Sequence, residues 1–162
     1  MIMEKLMIDP IQPIEVDLIK LTATATLPTR GSDYAAGWDL YADLADVGLE
    51  QVTIAPGQVV KISTGVAVAL PAYCFGGLYA RSGLASKKGL RPANCTGIID
   101  EDYRGGVLVA IRNDSNEVQV IQHGERIAQL VVQPYIPVVF KETNDLPATE
   151  RGTGGFGSTG TM

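Results

Sequence analysis

Residues 97–111, GIIDEDYRGGVLVAI, decide how this chain is read. Ile98 and Ile99 run straight into Asp100, Glu101, Asp102, Tyr103 and Arg104, after which Val107, Val109 and Ile111 resume a strict alternation. A period of two puts every second side chain on one face, which is the signature of a half-buried strand. The stretch therefore predicts a β-hairpin with a charged tip. Successive carboxylates repel one another and suit a buried ladder poorly, so their place between two strands points to catalytic use of one of them. A carboxylate beside an aromatic ring also suits a site that handles a nucleoside. An ordinary solvated acidic turn is the competing reading, and taken alone the turn favours it, because charged turns are common.

Similar short runs continue on both sides: Val16, Leu18 and Leu21; Val66, Val68 and Leu70; Val118 and Val120. Breakers at Pro28, Gly31, Pro56, Gly57, Pro71, Pro92, Asn113, Asp114 and Gly124 separate them. Many modest strands with frequent turn signals predict an all-β chain of the sandwich, barrel or jelly-roll kind. One short helix is expected at Gly83 to Lys88, with Ser82 as its N-cap. No internal repeat is visible. Residues 1–14, with Pro10 and Pro13, read as a loosely attached arm, although Ile2, Leu6 and Ile8 would also suit an edge strand.

A chain of 162 residues with 46% hydrophobic content is sized for one domain with a real core. Its formal charge of -5 argues against the broad positive footprint that binds nucleic acid polymers or anionic membranes. No window reaches the roughly 18 apolar residues of a membrane span, and the opening MIMEKLMIDP mixes charges into its apolar residues unlike a signal peptide. A cytoplasmic location is expected. Cys74 and Cys95 lie in apolar surroundings without CxxC spacing, which predicts buried free thiols rather than a disulfide or a metal pair. His123, before Gly124 in an apparent turn, is the only histidine and cannot supply a metal cluster or a Ser/His/Asp triad. It reads as structural.

The tail at residues 151–160, RGTGGFGSTG, is half glycine and has too little apolar surface to fold alone. A disordered tail is the plain reading. Arg151, Phe156, Ser158 and Thr159 among glycines also make a suitable phosphate-and-base clamp, because glycine lets backbone N–H groups turn toward oxygens. Gly152, Gly154 and Gly157 spell GxGxxG, and the same stretch resembles a P-loop opening, but Ser158 stands at the lysine position and only Met162 and three other residues follow, too few for a helix. Rossmann and Walker readings are rejected.

Taken together, these segments resemble the homotrimeric dUTPase family. Its five motifs occur in order: AAGWDLYA from Ala35, YARSGLASKKG from Tyr79, NCTGIIDEDYRG from Asn94, GERIAQLVV from Gly124, and the terminal RGTGGFGSTG. The resemblance covers nearly everything after residue 15. Trp38 stands where the family usually has tyrosine, Gly77 where a basic residue is common and Ala80 where proline is frequent. The resemblance implies a distorted jelly-roll or β-barrel-like sandwich at residues 15–148, one short helix, and a mobile glycine-rich arm at 149–162 that closes over the active site. It implies hydrolysis of dUTP to dUMP and pyrophosphate, which limits uracil incorporation in DNA and supplies dUMP for thymidylate synthesis.

The same resemblance implies roles residue by residue. Asp100 is the general base that deprotonates the water attacking the α-phosphorus. Mg2+ on the three phosphates is the expected ion, with Asp39 touching its water shell; Asp39 as a turn-forming residue is the equal alternative. Tyr103 packs against the deoxyribose and leaves no room for a 2'-hydroxyl, where a core tyrosine is the plain reading. Asn94 contacts uracil, and the backbone at Ile98, Ile99 and Leu108 presents donors and acceptors to the ring. Arg81, Ser82 and Gly83 sit beside the phosphates, as does Gln129, whereas Arg126 reads as an ion-pair residue. Arg151, Gly157, Ser158 and Thr159 reach the terminal phosphate region and Phe156 stacks on uracil as the arm orders. Each site would draw on three chains of a homotrimer. The rivals are a dCTP deaminase-like enzyme, a non-catalytic nucleotide-binding regulatory relative, and a jelly-roll capsid or lectin domain.

Overall fold

The computed structural model describes residues 13–155, within which twelve short strands carry the fold. The strands are β1 (Asp17–Lys20), β2 (Thr29–Arg30), β3 (Trp38–Tyr41), β4 (Gln51–Ile54), β5 (Val59–Ser63) and β6 (Val66–Ala69). They continue with β7 (Cys74–Tyr79), β8 (Leu90–Pro92), β9 (Gly97–Ile99), β10 (Leu108–Asn113), β11 (Gln119–Gln122) and β12 (Arg126–Pro134). A five-stranded sheet in the order β2-β3-β12-β7-β9 faces smaller sheets β5-β10-β8, β11-β4 and β1-β6, and all pairings are antiparallel. This is the jelly-roll-like β architecture expected from the alternation.

Two adjoining cores fill the space between the sheets. One gathers Ile54, Ile62, Leu90, Val109, Ile111, Ile121 and Ile127; the other gathers Leu40, Val66, Val68, Leu70, Leu78, Ile99 and Leu130. Strand β12 serves both. Its register shifts between Arg126 and Ala128, so the consecutive residues Ile127 and Ala128 are both buried before Leu130 enters the second core.

The structure corrects the hairpin. Strands β9 and β10 do not pair with each other: β9 joins β7 at the edge of the large sheet, whereas β10 lies between β5 and β8. Alternation reports which face is buried but not which strand is the neighbour, so the acidic stretch is a corner between two sheets.

The expected helix is also revised. Leu84–Lys88 forms one π-helical turn, Ser82 gives no side-chain cap, and its carbonyl instead accepts the Ser86 hydroxyl at 2.6 Å. The turn ends at Gly89, whose φ of 65° suits glycine and whose absent Cβ leaves space for the Ser115 amide. A second helical piece, a 3-10 turn at Ala45–Val47, was not expected. Cys74 is a buried free thiol as expected, but Cys95 is exposed, because it occupies a bend with φ of 61° between β8 and β9. His123 Nδ1 accepts the Leu44 amide at 3.2 Å and faces buried Asp43, whose oxygens also accept the hydroxyls of Thr22 and Thr24. It is a structural histidine.

Asn113, wholly buried at the end of β10, closes this half of the molecule. Its amide donates to the Ile54 and Glu117 carbonyls at 2.9 and 2.7 Å, and its oxygen accepts the Ser115 amide at 2.9 Å. Ile54 is wholly buried, so its carbonyl has no water as a substitute for the Asn113 amide. Asn113→Ala is expected to lower unfolding stability by about 3 kcal/mol in denaturant titration; a change under about 0.5 kcal/mol, the range of ordinary surface substitutions, contradicts this assignment.

Candidate active site

The corner at residues 100–106 owes its shape to bonds within itself. The Tyr103 amide donates to the Asp100 carbonyl at 3.1 Å, and Arg104 Nη1 donates to the carbonyls of Glu101 and Tyr103 at 2.6 and 3.0 Å. The Tyr103 hydroxyl donates to the Gly106 carbonyl at 3.1 Å, and the phenol end of its ring lies close to Gly105, where a Cβ would stand only 2.6 Å from Cζ. Tyr103 is 44% exposed, so the reading of a core tyrosine fails.

An open cavity of about 210 Å³ lies against this corner. Asn94, Ile98, Ile99, Asp100, Tyr103 and Leu108 line it together. Leu78, Gly97, Gly106 and Val107 complete the wall. Leu78 reaches it from β7 because Leu78 pairs with Gly97, a cross-strand neighbour that no sequence pattern names. Strand β9 is an edge strand, so the side of its backbone away from β7 is free to offer N–H and C=O groups to a planar ring.

A second group forms at the other end of the large sheet. Asp39 in β3 is 3% exposed; its oxygens receive Arg81 Nε at 2.8 Å and Arg126 Nη1 at 3.1 Å. Asp39 is therefore a strand residue between two arginines and not a turn former. Gln129 in β12 pairs with Asp39 on one side and with Tyr79 on the other, and Gly37 leaves room for its side chain. Arg81 follows β7 directly, Ser82 and Gly83 open the helical turn, and the space around the Gly83 Cα is open. Two guanidinium groups, an amide and a helical start make this end suitable for anionic oxygens.

The two groups do not meet within one chain. Ile99 pairs with Gly76, which sets Asp100 level with Phe75, whereas Arg81 lies six residues farther along the chain from Phe75. At about 3.3 Å per residue their backbones are roughly 20 Å apart. None of Arg81, Ser82, Gly83, Gln129 or Asp39 lines the cavity. Arg151 is exposed and its Nε donates to the Gly154 carbonyl at 2.9 Å; Phe156, Gly157, Ser158 and Thr159 lie outside the described residues.

Beside the corner, Tyr135 at the end of β12 has its phenol held above the usual tyrosine range, chiefly by hydrogen bonding to Glu101, then by burial and by the negative charges of Glu101 and Asp102. Neither Glu101 nor Tyr135 was singled out from sequence, since Glu101 read there only as one acid among three.

The dUTPase family model matches residues 23–160. A deoxyuridine 5'-triphosphate nucleotidohydrolase of Desulfitobacterium hafniense is 45% identical over 91% of this chain and 95% of its own length. The mitochondrial protein of that name from Homo sapiens is 41% identical over 91% of this chain and 55% of its own. Among solved structures, a dUTPase of Staphylococcus bacteriophage 80alpha with bound dUpNHpp superposes with a TM-score of 0.79 at 30% identity, covering 91% of this chain and 99% of that one. A dUTPase of the S. aureus phage phi11, described with a structural Mg(II) ion, gives 0.70 at 26% identity, covering 82% and 98%. The motifs, the jelly-roll-like sheets and these matches lead to one conclusion: the chain belongs to the dUTPase family.

Proposed function

We propose that this protein hydrolyses dUTP to dUMP and pyrophosphate, with Asp100 as general base. The cavity at the β9 edge carries the reading: it brings a carboxylate, an aromatic ring, an asparagine and free strand backbone around one nucleoside-sized space. Uracil sits against the β9 backbone and Asn94, and the Tyr103 ring covers the deoxyribose. A 2'-hydroxyl would have no polar partner on that ring face, so ribonucleotides are disfavoured. Asp100 accepts a proton from a water whose oxygen bonds to the α-phosphorus. The bond from that phosphorus to the β-bridging oxygen breaks, pyrophosphate leaves with the electron pair, and the proton passes from Asp100 to solvent.

Arg81, Ser82, Gly83 and Gln129 take the phosphates of a substrate whose base lies on a different copy of the chain. Asp100 and Ser82 must both stand within one or two bonds of neighbouring phosphate oxygens, which the separation along β7 does not permit inside one subunit. A homotrimer with shared sites meets that requirement, with residues 149–162 as the closing arm. Ile136, Val138, Val139 and Phe140, which lie between β12 and that arm, are exposed apolar side chains that gain from burial on another subunit.

The donor set suits Mg2+ carried on the triphosphate. Among the described residues no group of three His, Cys, Asp or Glu side chains is placed to hold a metal ion, and each Asp39 oxygen already accepts an arginine, which leaves it a contact through water. When bound, the ion neutralises phosphate charge and polarises the leaving oxygens. Asp39 also aims Arg81. No helix among the described residues is long and apolar enough to cross a membrane, and a nucleotide substrate fits a cytoplasmic setting.

Pyrophosphate release from dUTP tests the reading directly. Asp100→Asn is expected to lower kcat by about 10³-fold while dUpNHpp still binds within a few-fold of its original affinity; an unmodified protein without turnover, or an asparagine variant with normal kcat, defeats it. Asp39→Asn is expected to raise KM about tenfold and to lower thermal stability, since two arginines lose their shared buried partner. An unchanged KM would show that Arg81 does not need Asp39.

A further inference from the structure

We propose that Glu101 is a positioning residue that fixes the Asp100 turn for catalysis by tying it to the Tyr73 bend and the end of β12. The inference rests on the base role assigned to Asp100. The hydrogen bonds of Tyr103 and Arg104 stay inside the turn. Among the described residues, the ties that leave it are made by Glu101: the Tyr73 amide donates to its Oε2 at 2.5 Å, and the Tyr135 phenol faces the same carboxylate. Packing does not substitute for that bond. The turn is bordered by the nucleoside cavity on one side and by a second open cavity of about 620 Å³, beside Phe75 and Tyr135, on the other. Asp100 and Ile98 are shared walls of both, so an untied turn has room to swing either way.

The anchor is itself specified. Tyr73 has φ of 60°, the left-handed region that a bulky residue adopts only when its surroundings hold it there. Its carbonyl accepts the Tyr135 amide at 2.9 Å, and the two rings meet at 6.3 Å with a 59° tilt. Glu101 also faces the Tyr135 phenol and holds its proton more tightly than in water. One carboxylate thus engages a backbone amide of the β6–β7 connection and the side chain that ends β12. The tie needs an acceptor at that reach and not a charge, so glutamine supplies it too, with its amide nitrogen donating to the phenol oxygen. Alanine does not.

The experiment compares steady-state dUTP hydrolysis by the full-length wild type, Glu101→Ala, Glu101→Gln and Asp100→Asn, with thermal melts of each. Glu101→Ala is expected to lose between about tenfold and a hundredfold in kcat, the penalty for misplacing a catalytic group by an ångström or so, with KM within about threefold and a melting midpoint close to wild type. Glu101→Gln is expected to return to within about threefold of wild-type kcat. Wild-type kcat in the alanine variant, or a glutamine variant as impaired as alanine, overturns the inference. If Asp100→Asn is inactive while Glu101→Ala is normal, only the Glu101 role fails; if Asp100→Asn turns over normally, the base assignment fails and the Glu101 role with it.

Discussion

The register of β7 is the constraint on which this protein depends. Strand β9 locks to it at Gly76, Gly77 and Leu78, and β12 locks to its other edge from Gln129 to Pro134. Because each residue adds a fixed rise, these pairings set the acidic corner at one end of the sheet and the Arg81 and Gln129 group at the other. A slip by one residue would turn Leu78, Ile99 and Leu130 out of the second core, so packing enforces the spacing. The chain therefore presents two groups that stand apart within one subunit. On the proposed reading, catalysis follows when assembly brings complementary halves together.

Electrostatics at the phosphate end tells the same story on a smaller scale. A buried carboxylate alone is unfavourable, and Asp39 is tolerated because Arg81 and Arg126 reach it from two different segments. The arrangement leaves net positive charge at one place on a chain whose overall charge is -5. On the proposed reading, a polyanionic substrate is met by that local excess and not by the field of the whole molecule. At the opposite end three carboxylates lie together, each with a different employment: Asp100 borders the cavity, Glu101 is tied to Tyr73, and Asp102 adds negative charge near Tyr135.

Much of this was legible in the chain itself. Period-two alternation at Val66, Val68 and Leu70 and at Val107, Val109 and Ile111 named residues that are buried, although Ala67 is buried with them. At Val118 and Val120 it named the wrong face, since Val118 is exposed and Ile121 is the buried residue. The cavity residues from Asn94 to Leu108 were readable because they are close in sequence and motif-like. What alternation does not carry is partnership. It suggested a hairpin where β9 and β10 belong to different sheets, and it gave no sign of Leu78, which reaches the cavity only through cross-strand pairing. Cys95 was misplaced for a related reason: it sits between polar Asn94 and Thr96, and the left-handed bend that turns it outward is set by the connection between two sheets. Glu101 needed coordinates, since its partner is a backbone amide on a distant segment.

The account is tested most directly by complementation between two inactive variants, Asp100→Asn and Arg81→Ala, produced together in one cell so that mixed assemblies form. If the base and the phosphate-binding group of each site come from different subunits, the mixture regains dUTP hydrolysis at about a quarter of the wild-type rate, the chance that random pairing joins two intact halves. If every site is built within one chain, no mixture of the two variants exceeds the activity of either alone.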